Sequence, residues 1–184
     1  MLKLLTSNLE KYAPYRSDLE RGGIELLQRK FRLEEIQTTD LEEAARHKAK
    51  QAFDHLRAPV MIDDAALLLD AYPGFPGAST SFVVKSVGLS GLQKLLYGMP
   101  AGAEMVCLIA ACWSEADVRI YPGRMRGTLD FSQMINGLLP LNSAFIPDGQ
   151  SEPLGTLTRH HPDFPTHRRR ALELALRDVL SPKE

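Results

Sequence analysis

The change of texture near residue 105 is what most limits how this chain can fold. Before it, short apolar runs alternate with segments of helical character. From Met105 to about Phe131 the chain is β in texture throughout. Val106-Cys107-Leu108-Ile109-Ala110-Ala111-Cys112-Trp113, then Val118-Arg119-Ile120-Tyr121, then a segment after Gly127 are spaced by turn residues as in an antiparallel meander. Alternating strands and helices followed by a meander predict an α/β protein with a mixed sheet. The 184 residues suit one domain, 1–184, able to bury a core without disulfide or metal staples. Cys107 and Cys112 stand at an odd offset in one strand, so they point to opposite faces and are expected as buried free thiols.

Leu2 to Leu5 suits a buried strand closing on the turn and cap formers Thr6-Ser7-Asn8. A helix is expected from about Lys11 to Arg21, with Pro14 in its first turn and Gly22-Gly23 at its end. A second strand lies within Ile24 to Ile36. Asp40 with Glu43 three residues on forms a capping-box pattern that opens a helix to about Leu56, and Pro59 stops it. Val60-Met61-Ile62 is a short strand with Asp63-Asp64 at its C-terminal end. The loop Pro73-Gly74-Phe75-Pro76-Gly77 follows, then two short helices separated near Gly88. The stretch from Asn136 to Pro165 reads as a long irregular loop. A helix from about His167 to Leu180 closes the chain on the face Ala171, Leu172, Ala175, Leu176 and Val179.

Lysine plus arginine (22) nearly cancels aspartate plus glutamate (23), for a net charge of -1. No global field draws the chain to nucleic acid or to an anionic membrane, so any polyanion must be held by a local cluster. The apolar start, Met1 to Leu5, is far too short for a signal or membrane segment, which favours the cytoplasm.

Three constellations could carry chemistry. Thr6-Ser7-Asn8 with Lys11, at a strand-to-helix turn, offers hydroxyls, an amide, backbone N–H groups and a point charge to a phosphate. An anion near a helix N-terminus gains roughly 0.3–2 kcal/mol from the dipole. The alternative is a capped helix with a solvent lysine. Asp63-Asp64 after a buried strand is costly unless a cation or hydrogen bonds neutralise it. Oxygen-only ligands suit magnesium, and a third carboxylate such as Glu35 would strengthen the site. Arg159-His160-His161 and Thr166-His167-Arg168-Arg169-Arg170 put cations at a helix start, against its dipole, as a bound anion or base edge would require; a solvated basic rim is the alternative. His160, His161 and His167 match no zinc-ligand spacing.

In this order the pieces resemble the inosine/xanthosine triphosphate pyrophosphatases, the Ham1-like nucleotide house-cleaning family, over nearly the whole chain. Thr6-Ser7-Asn8 with Lys11 matches the family's Thr-x-Asn-x-x-Lys opening, and Glu35-Ile36-Gln37 its Pro-Glu-x-Gln segment. Ala45-Arg46-His47-Lys48-Ala49 matches the next helix. Ile62-Asp63-Asp64-Ala65-Ala66-Leu67 stands where the family has Asp-Asp-Ser-Gly-Leu, and Pro73 to Gly77 matches its Gly-x-Pro-Gly loop. Gly123 and Gly127 keep its Gly-x-x-x-Gly spacing. Phe145-Ile146-Pro147-Asp148-Gly149 and Thr166-His167-Arg168 match its closing motifs.

The resemblance implies a mixed, twisted central sheet flanked by helices, in two lobes with a substrate cleft between them, and a homodimer. It implies magnesium-dependent hydrolysis of a nucleoside triphosphate to the monophosphate and pyrophosphate. Asp64 would bind the metal and act as, or position, the base for the attacking water, with Asp63 in support and Glu35 sharing the metal. Thr6, Ser7, Asn8, Lys11 and Lys48 would hold phosphates. His167 and Arg168 would face the purine, and Ala65 replaces a serine that contacts substrate.

The base end departs from the family. Its Phe-Gly-Tyr-Asp-Pro loop is replaced by Leu139-Pro140-Leu141-Asn142-Ser143, so leucine stands for a stacking aromatic worth about 1–3 kcal/mol. Asn142 offers a donor where the family has a carboxylate. The lysine before Ser-His-Arg is missing, and so is an Asp-Arg pair where Pro100-Ala101 stands; Phe164 offers a substitute stacking surface. An altered base choice is therefore expected. A non-hydrolysing nucleotide sensor is the rival reading, opposed by the retention of Glu35, Asp63, Asp64, Lys11 and Lys48; an enzyme for one modified nucleotide is a third.

Overall fold

A computed structural model describes residues 2–133 and 139–181. Strand β1 (Leu2–Thr6) leads into a 3₁₀ helix, Leu9–Tyr15, and then α1 (Arg16–Arg21) and β2 (Ile24–Gln28). Helix α2 (Leu41–Leu56), β3 (Val60–Leu69), β4 (Tyr72–Gly77) and α3 (Thr80–Leu95) follow. The remainder is β5 (Gly102–Cys112), β6 (Val118–Leu129), α4 (Pro140–Ala144), β7 (Phe145–Pro147), α5 (Leu154–His160) and α6 (His167–Leu180). Among the described residues seven strands form one sheet in the order β2-β1-β3-β5-β6-β7, with β4 added on β3. β1 is parallel to β2 and β3, whereas β4 is antiparallel to β3 and β7 to β6. The sheet is mixed, as the alternation of elements predicts.

The chain forms two compact units. One comprises residues up to Asp64, Cys107–Gly123 and the chain from Arg168 onward. Its core gathers Leu2 and Leu4 of β1, Tyr12, Leu19, Met61, Ile109 and the predicted face of α6, with Ala171, Leu172 and Ala175 buried and Leu176 and Val179 packed against them. The other comprises Ala65–Val106 and Arg124–His167, around Leu67, Leu92, Met105, Leu129, Phe145 and Leu154. Each fully buried leucine of these cores contributes roughly 1.5–3 kcal/mol through water removal. Both cysteines are buried and free. Among the described residues no helix is long and apolar enough to cross a membrane.

Several elements differ from their sequence-based outlines, each for a local reason. The first α-helix starts at Arg16 rather than Lys11, because Pro14 falls inside the preceding segment, which takes the tighter 3₁₀ form. At α2, Asp40 accepts from the N–H groups of Glu42 and Glu43, but Glu43 does not return the bond to Asp40; Thr38 takes that place, donating its hydroxyl to Glu43 and accepting from the Asp40 N–H. Helix α2 then closes on Arg57 in the left-handed region, φ 48°.

β3 does not stop at Ile62. It runs ten residues, so Asp63 and Asp64 lie inside the strand, between the β1 ladder at residues 60–62 and the β4 ladder at 67–69. The proline-rich segment 73–77 is itself strand β4, where a missing N–H is tolerated at an edge. Helix α3 breaks at Gly88, whose φ of 65° is non-helical, as the two-helix expectation required. β6 continues through Gly127 to Leu129, so the third strand of the meander is β7. The stretch expected to be irregular from Asn136 holds α4, β7 and α5; its first residues, 136–138, lie outside the described residues.

Candidate active site

Adjacent residues of a strand face opposite sides of the sheet, and this separates the two acids. Asp64 turns to α2, and Asp63 turns to the start of α6. Helix α2 buries Ala44, Ala45, Ala49 and Ala52, a stripe of small side chains, and Lys48 belongs to the same stripe by its i, i+3 and i+4 spacing. The lysine stem is therefore covered, and its side chain is only 13% exposed. Its ammonium donates to Asp64 Oδ2 at 2.9 Å and lies 3.3 Å from Glu35 Oε1.

Glu35 comes from an extended loop, and α2 also holds that loop. Gln51, one turn after Lys48, accepts from the Glu34 N–H and donates to the Glu34 carbonyl, each at 2.9 Å. This two-way amide clamp fixes the backbone beside Glu35. It has no signature in the sequence, since a glutamine on an exposed helix face normally meets water.

Burial raises the Asp64 carboxyl above its ordinary value; the Lys48 charge and hydrogen bond oppose this, and Asp63 and Glu35 add to it. For Lys48, burial acts downward but is outweighed by Asp64 and then Glu35, so the ammonium is held above its ordinary value. One lysine thus serves two carboxylates, one partly desolvated and one exposed.

On the other face of β3, Asp63 Oδ2 lies 3.4 Å from Arg168 Nη2. The guanidinium is buried and packs over the Tyr12 ring, 5.7 Å from its centroid. Cys107 completes this interior. Burial pushes its thiol up to about 12; Arg168 and Lys11 pull it down, and Asp63 and Asp64 push it up. The same thiol therefore feels both acids, Arg168 and Lys11.

The Thr6–Lys11 turn forms as expected, though it opens a 3₁₀ helix rather than an α-helix, so the helix-dipole contribution expected there does not apply in full. Thr6 is buried, and its hydroxyl accepts from the Asn8 N–H at 3.2 Å and bonds the Asn8 carbonyl. Thr6 thereby shapes the turn, while Ser7 is exposed and Asn8 and Lys11 are half-buried.

The residues assigned to the base end are placed as follows. Ala65 follows Asp64 in β3 and is half-buried; Asn142 is half-buried on α4; His167 is the buried first residue of α6. Phe164 packs against the core of its own unit. Ser143, next to Asn142, turns inward and donates to the Pro140 carbonyl at 2.7 Å.

The expectation that three acids converge is corrected. Glu35 and Asp64 share Lys48, but Asp63 is engaged by Arg168, because consecutive strand residues cannot point the same way. Among the described residues no group of three or more His, Cys, Asp or Glu side chains could hold a metal ion. Two carboxylates gathered on one cation still fit a hard ion that takes few protein oxygens and completes its shell with water and phosphate.

Comparison with known proteins gives a consistent result. The profile of the Ham1 family matches residues 2–178. The chain is 32% identical over 171 residues to a dITP/XTP pyrophosphatase of Thermococcus kodakarensis, covering 93% of this chain and 92% of that protein. It is 33% identical over 171 residues to an inosine triphosphate pyrophosphatase of Yarrowia lipolytica, covering 92% and 90%. Among solved structures, a HAM1 protein from Coxiella burnetii superposes with a TM-score of 0.80 at 20% identity, over 99% of this chain and 100% of that one. The Ham1 protein of Staphylococcus aureus gives 0.78 at 20% identity over the whole of both chains.

Proposed function

The chain belongs to the Ham1 family, and from that premise we propose that it hydrolyses a nucleoside triphosphate to the monophosphate and pyrophosphate. Curated relatives that match nine-tenths of the chain bear the names of pyrophosphatases for dITP, XTP and inosine triphosphate. The observation that carries the reading is the bridge from Lys48 to both Asp64 and Glu35. It brings together two acids and a cation that the sequence resemblance assigns to metal and phosphate.

Asp64 accepts a proton from water as the water oxygen attacks the α-phosphorus. The bond from that phosphorus to its bridging oxygen breaks, and pyrophosphate leaves with the electron pair. Lys48, Lys11 and Asn8 hold the departing phosphates, which stabilises charge as it moves onto the bridging oxygen. A partly desolvated carboxylate suits proton acceptance better than an exposed one, since a raised pKa makes a stronger base. Magnesium, held by Glu35 and Asp64, would neutralise phosphate charge and orient the chain of phosphates. Asp63 supports Asp64 from the opposite face of β3.

Base choice belongs to Asn142, His167 and the leucine-rich segment at 139–143. Without the family's aromatic stack and its carboxylate, selection among 6-oxo purines is altered relative to the relatives. The working state is a cytoplasmic homodimer that binds neither nucleic acid nor membrane, in keeping with the net charge of -1.

The test is direct. The protein is incubated with magnesium and a panel of ordinary, deaminated and modified nucleoside triphosphates, and products are separated by chromatography. Monophosphate with pyrophosphate is the expected pair. Orthophosphate with diphosphate would overturn the bond assignment, and binding without turnover of any nucleotide would make the chain a sensor. Asp64→Asn is expected to abolish turnover while leaving the unfolding temperature close to that of the parent.

A further inference from the structure

The chain leaves the sheet at Arg29, whose N–H bonds the Thr6 carbonyl at 2.8 Å, and becomes regular again after the Asp40 cap. Residues 29–40 are neither helix nor strand, yet they carry Glu35. A carboxylate in such a segment takes its direction from whatever the loop leans on.

The loop leans on one stripe of α2. Lys48, Gln51 and His55 are spaced by three and four residues, so they stand one above another along the helix. Each meets one loop residue, and the loop runs backwards past them. Lys48 lies 3.3 Å from Glu35, and Gln51 bonds Glu34. His55 stacks on Phe31, with ring centroids 4.3 Å apart and planes at 28°. Leu33, between the last two contacts, is buried. The segment from Phe31 to Glu35 therefore lies antiparallel along α2, in one register.

The three contacts differ in what they hold. The Glu35 side chain is 64% exposed, and an ion pair so open to water contributes little against the entropy of an irregular chain. The ring stack is four residues away from Glu35. Gln51 acts on the backbone itself. Its amide oxygen accepts from the Glu34 N–H and its amide nitrogen donates to the Glu34 carbonyl, each at 2.9 Å. The N–H belongs to the peptide unit between Leu33 and Glu34, the carbonyl to the unit between Glu34 and Glu35. Each unit is planar, so one side chain holds both planes flanking residue 34, and the second plane carries the Glu35 nitrogen. A lysine could only donate and a carboxylate only accept, leaving one plane to turn.

We propose that Gln51 is a positioning residue for Glu35, and that its amide sets how tightly Glu35 and Asp64 take a divalent cation. This rests on the reading of Glu35 as a metal carboxylate, and Gln51 acts through the backbone of Glu34.

The experiment measures Mn²⁺ affinity of the full chain by electron paramagnetic resonance, in the parent, Gln51→Met, Glu35→Ala and the double variant. Methionine matches glutamine in length and helix preference but has neither the amide donor nor the amide acceptor. Groups that orient a metal ligand typically carry roughly 10- to 100-fold in affinity, and Gln51→Met should weaken Mn²⁺ binding by about 10-fold. In the Glu35→Ala background the same change should have no further effect, because the residue it positions is gone. In the metal-free proteins, hydrogen exchange followed by nuclear magnetic resonance should find the Glu34 amide protected in the parent and unprotected in Gln51→Met. The magnesium concentration for half-maximal pyrophosphate release should rise by the same factor as the Mn²⁺ dissociation constant. Equal Mn²⁺ affinity in parent and Gln51→Met would overturn the proposal. An equal loss with and without Glu35 would also overturn it, since the effect would then be a general loosening of α2. A parent that binds no Mn²⁺ leaves Glu35 without a metal to hold, and the proposal falls. A parent that binds Mn²⁺ but releases no pyrophosphate from any nucleotide defeats the reading of the reaction alone. The affinity cycle and the Glu34 exchange then still decide the role of Gln51. Should Gln51→Met fail to fold, Gln51→Ala is measured in the same way and judged by the same outcomes.

Discussion

The Lys48 ammonium stands 2.9 Å from Asp64 and 3.3 Å from Glu35, so one half-buried cation joins carboxylates supplied by a strand and by a loop. Removing it acts on both. In Lys48→Met the apolar stem still fills the alanine stripe of α2, but the two acids face each other without a counter-charge. The departing pyrophosphate also loses a donor. Removal of one such group costs about 10²–10³-fold in kcat. Steady-state kinetics on the preferred nucleotide should show a loss of that order, with α2 intact by circular dichroism. Activity within a factor of a few of the parent would exclude Lys48 from the site.

The same pair fixes two pH dependences. Because burial raises Asp64 above the ordinary value of 3.8, the acid limb of kcat/KM should lie above that value, where an exposed aspartate would already be ionised. In Lys48→Met the limb should move higher still, since the charge that favours ionisation is gone. Stability has its own window. Lys48 has a folded pKa above its ordinary 10.5, so its contribution is fully present below 10.5 and is lost as pH rises through the folded value. Urea unfolding between pH 9 and pH 12, on the order of one unit either side of the ordinary lysine value, should show that decline in the parent and a smaller one in Lys48→Met.

Much of this site is legible in the sequence because its parts are local. Asp40 caps α2, the alanine spacing places Lys48 on the buried stripe, and Thr6 closes its turn through its own neighbours. What depends on distant partners is not. The apolar triplet Val60-Met61-Ile62 looks like a complete strand, because two adjacent aspartates ordinarily end one; they continue it here because Lys48 and Arg168 meet them from opposite faces. Proline in Tyr72–Gly77 signals a loop until Leu67 and Leu68 are known to pair with it. Tyr12 and Gln51 carry no motif at all, and their contacts with Arg168 and Glu34 span most of the chain and the next helix respectively. The resemblance supplied what periodicity could not, namely a reason to consider Glu35, Lys48 and Asp64, which the structure brings into contact, as one group.

Asp40 is expected to matter for stability alone. Its carboxylate accepts from two N–H groups at the start of α2, at 2.8 and 3.2 Å, and Thr38 bonds both its backbone and Glu43. Replacing such a cap by alanine costs about 0.5–2 kcal/mol. Lys48 lies two turns further along, where the helix is held by its buried alanines. Asp40→Ala should therefore lower the unfolding midpoint by a few tenths of a molar in urea, at a slope of about 1–3 kcal/mol per molar or more for a chain this size. It should leave KM and kcat at 25 °C near the parent values. A large loss of activity without loss of stability would mean that the cap orients Lys48 directly.

Gly127 tests how β7 is held. In the register of β6 with β7 it stands opposite Pro147, and a Cβ there would lie 2.2 Å from the Ile146 carbonyl oxygen and 2.7 Å from the Phe145 ring. The ring could turn aside only within a fully buried environment, and the carbonyl is backbone, so β7 itself must retreat. Overpacking of this kind costs about 1–3 kcal/mol. For a chain of this length that corresponds to roughly 2–4 °C in unfolding temperature per kcal/mol. Gly127→Ala should be destabilised on this scale by calorimetry. A companion change separates the two obstacles. Phe145→Leu in the Gly127→Ala background frees the space of the ring and leaves the carbonyl where it was. If the backbone is what blocks the methyl, the double variant stays at least as unstable as Gly127→Ala. Recovery toward the parent would instead place the obstacle in the Phe145 ring and leave the β6–β7 ladder able to accept a side chain.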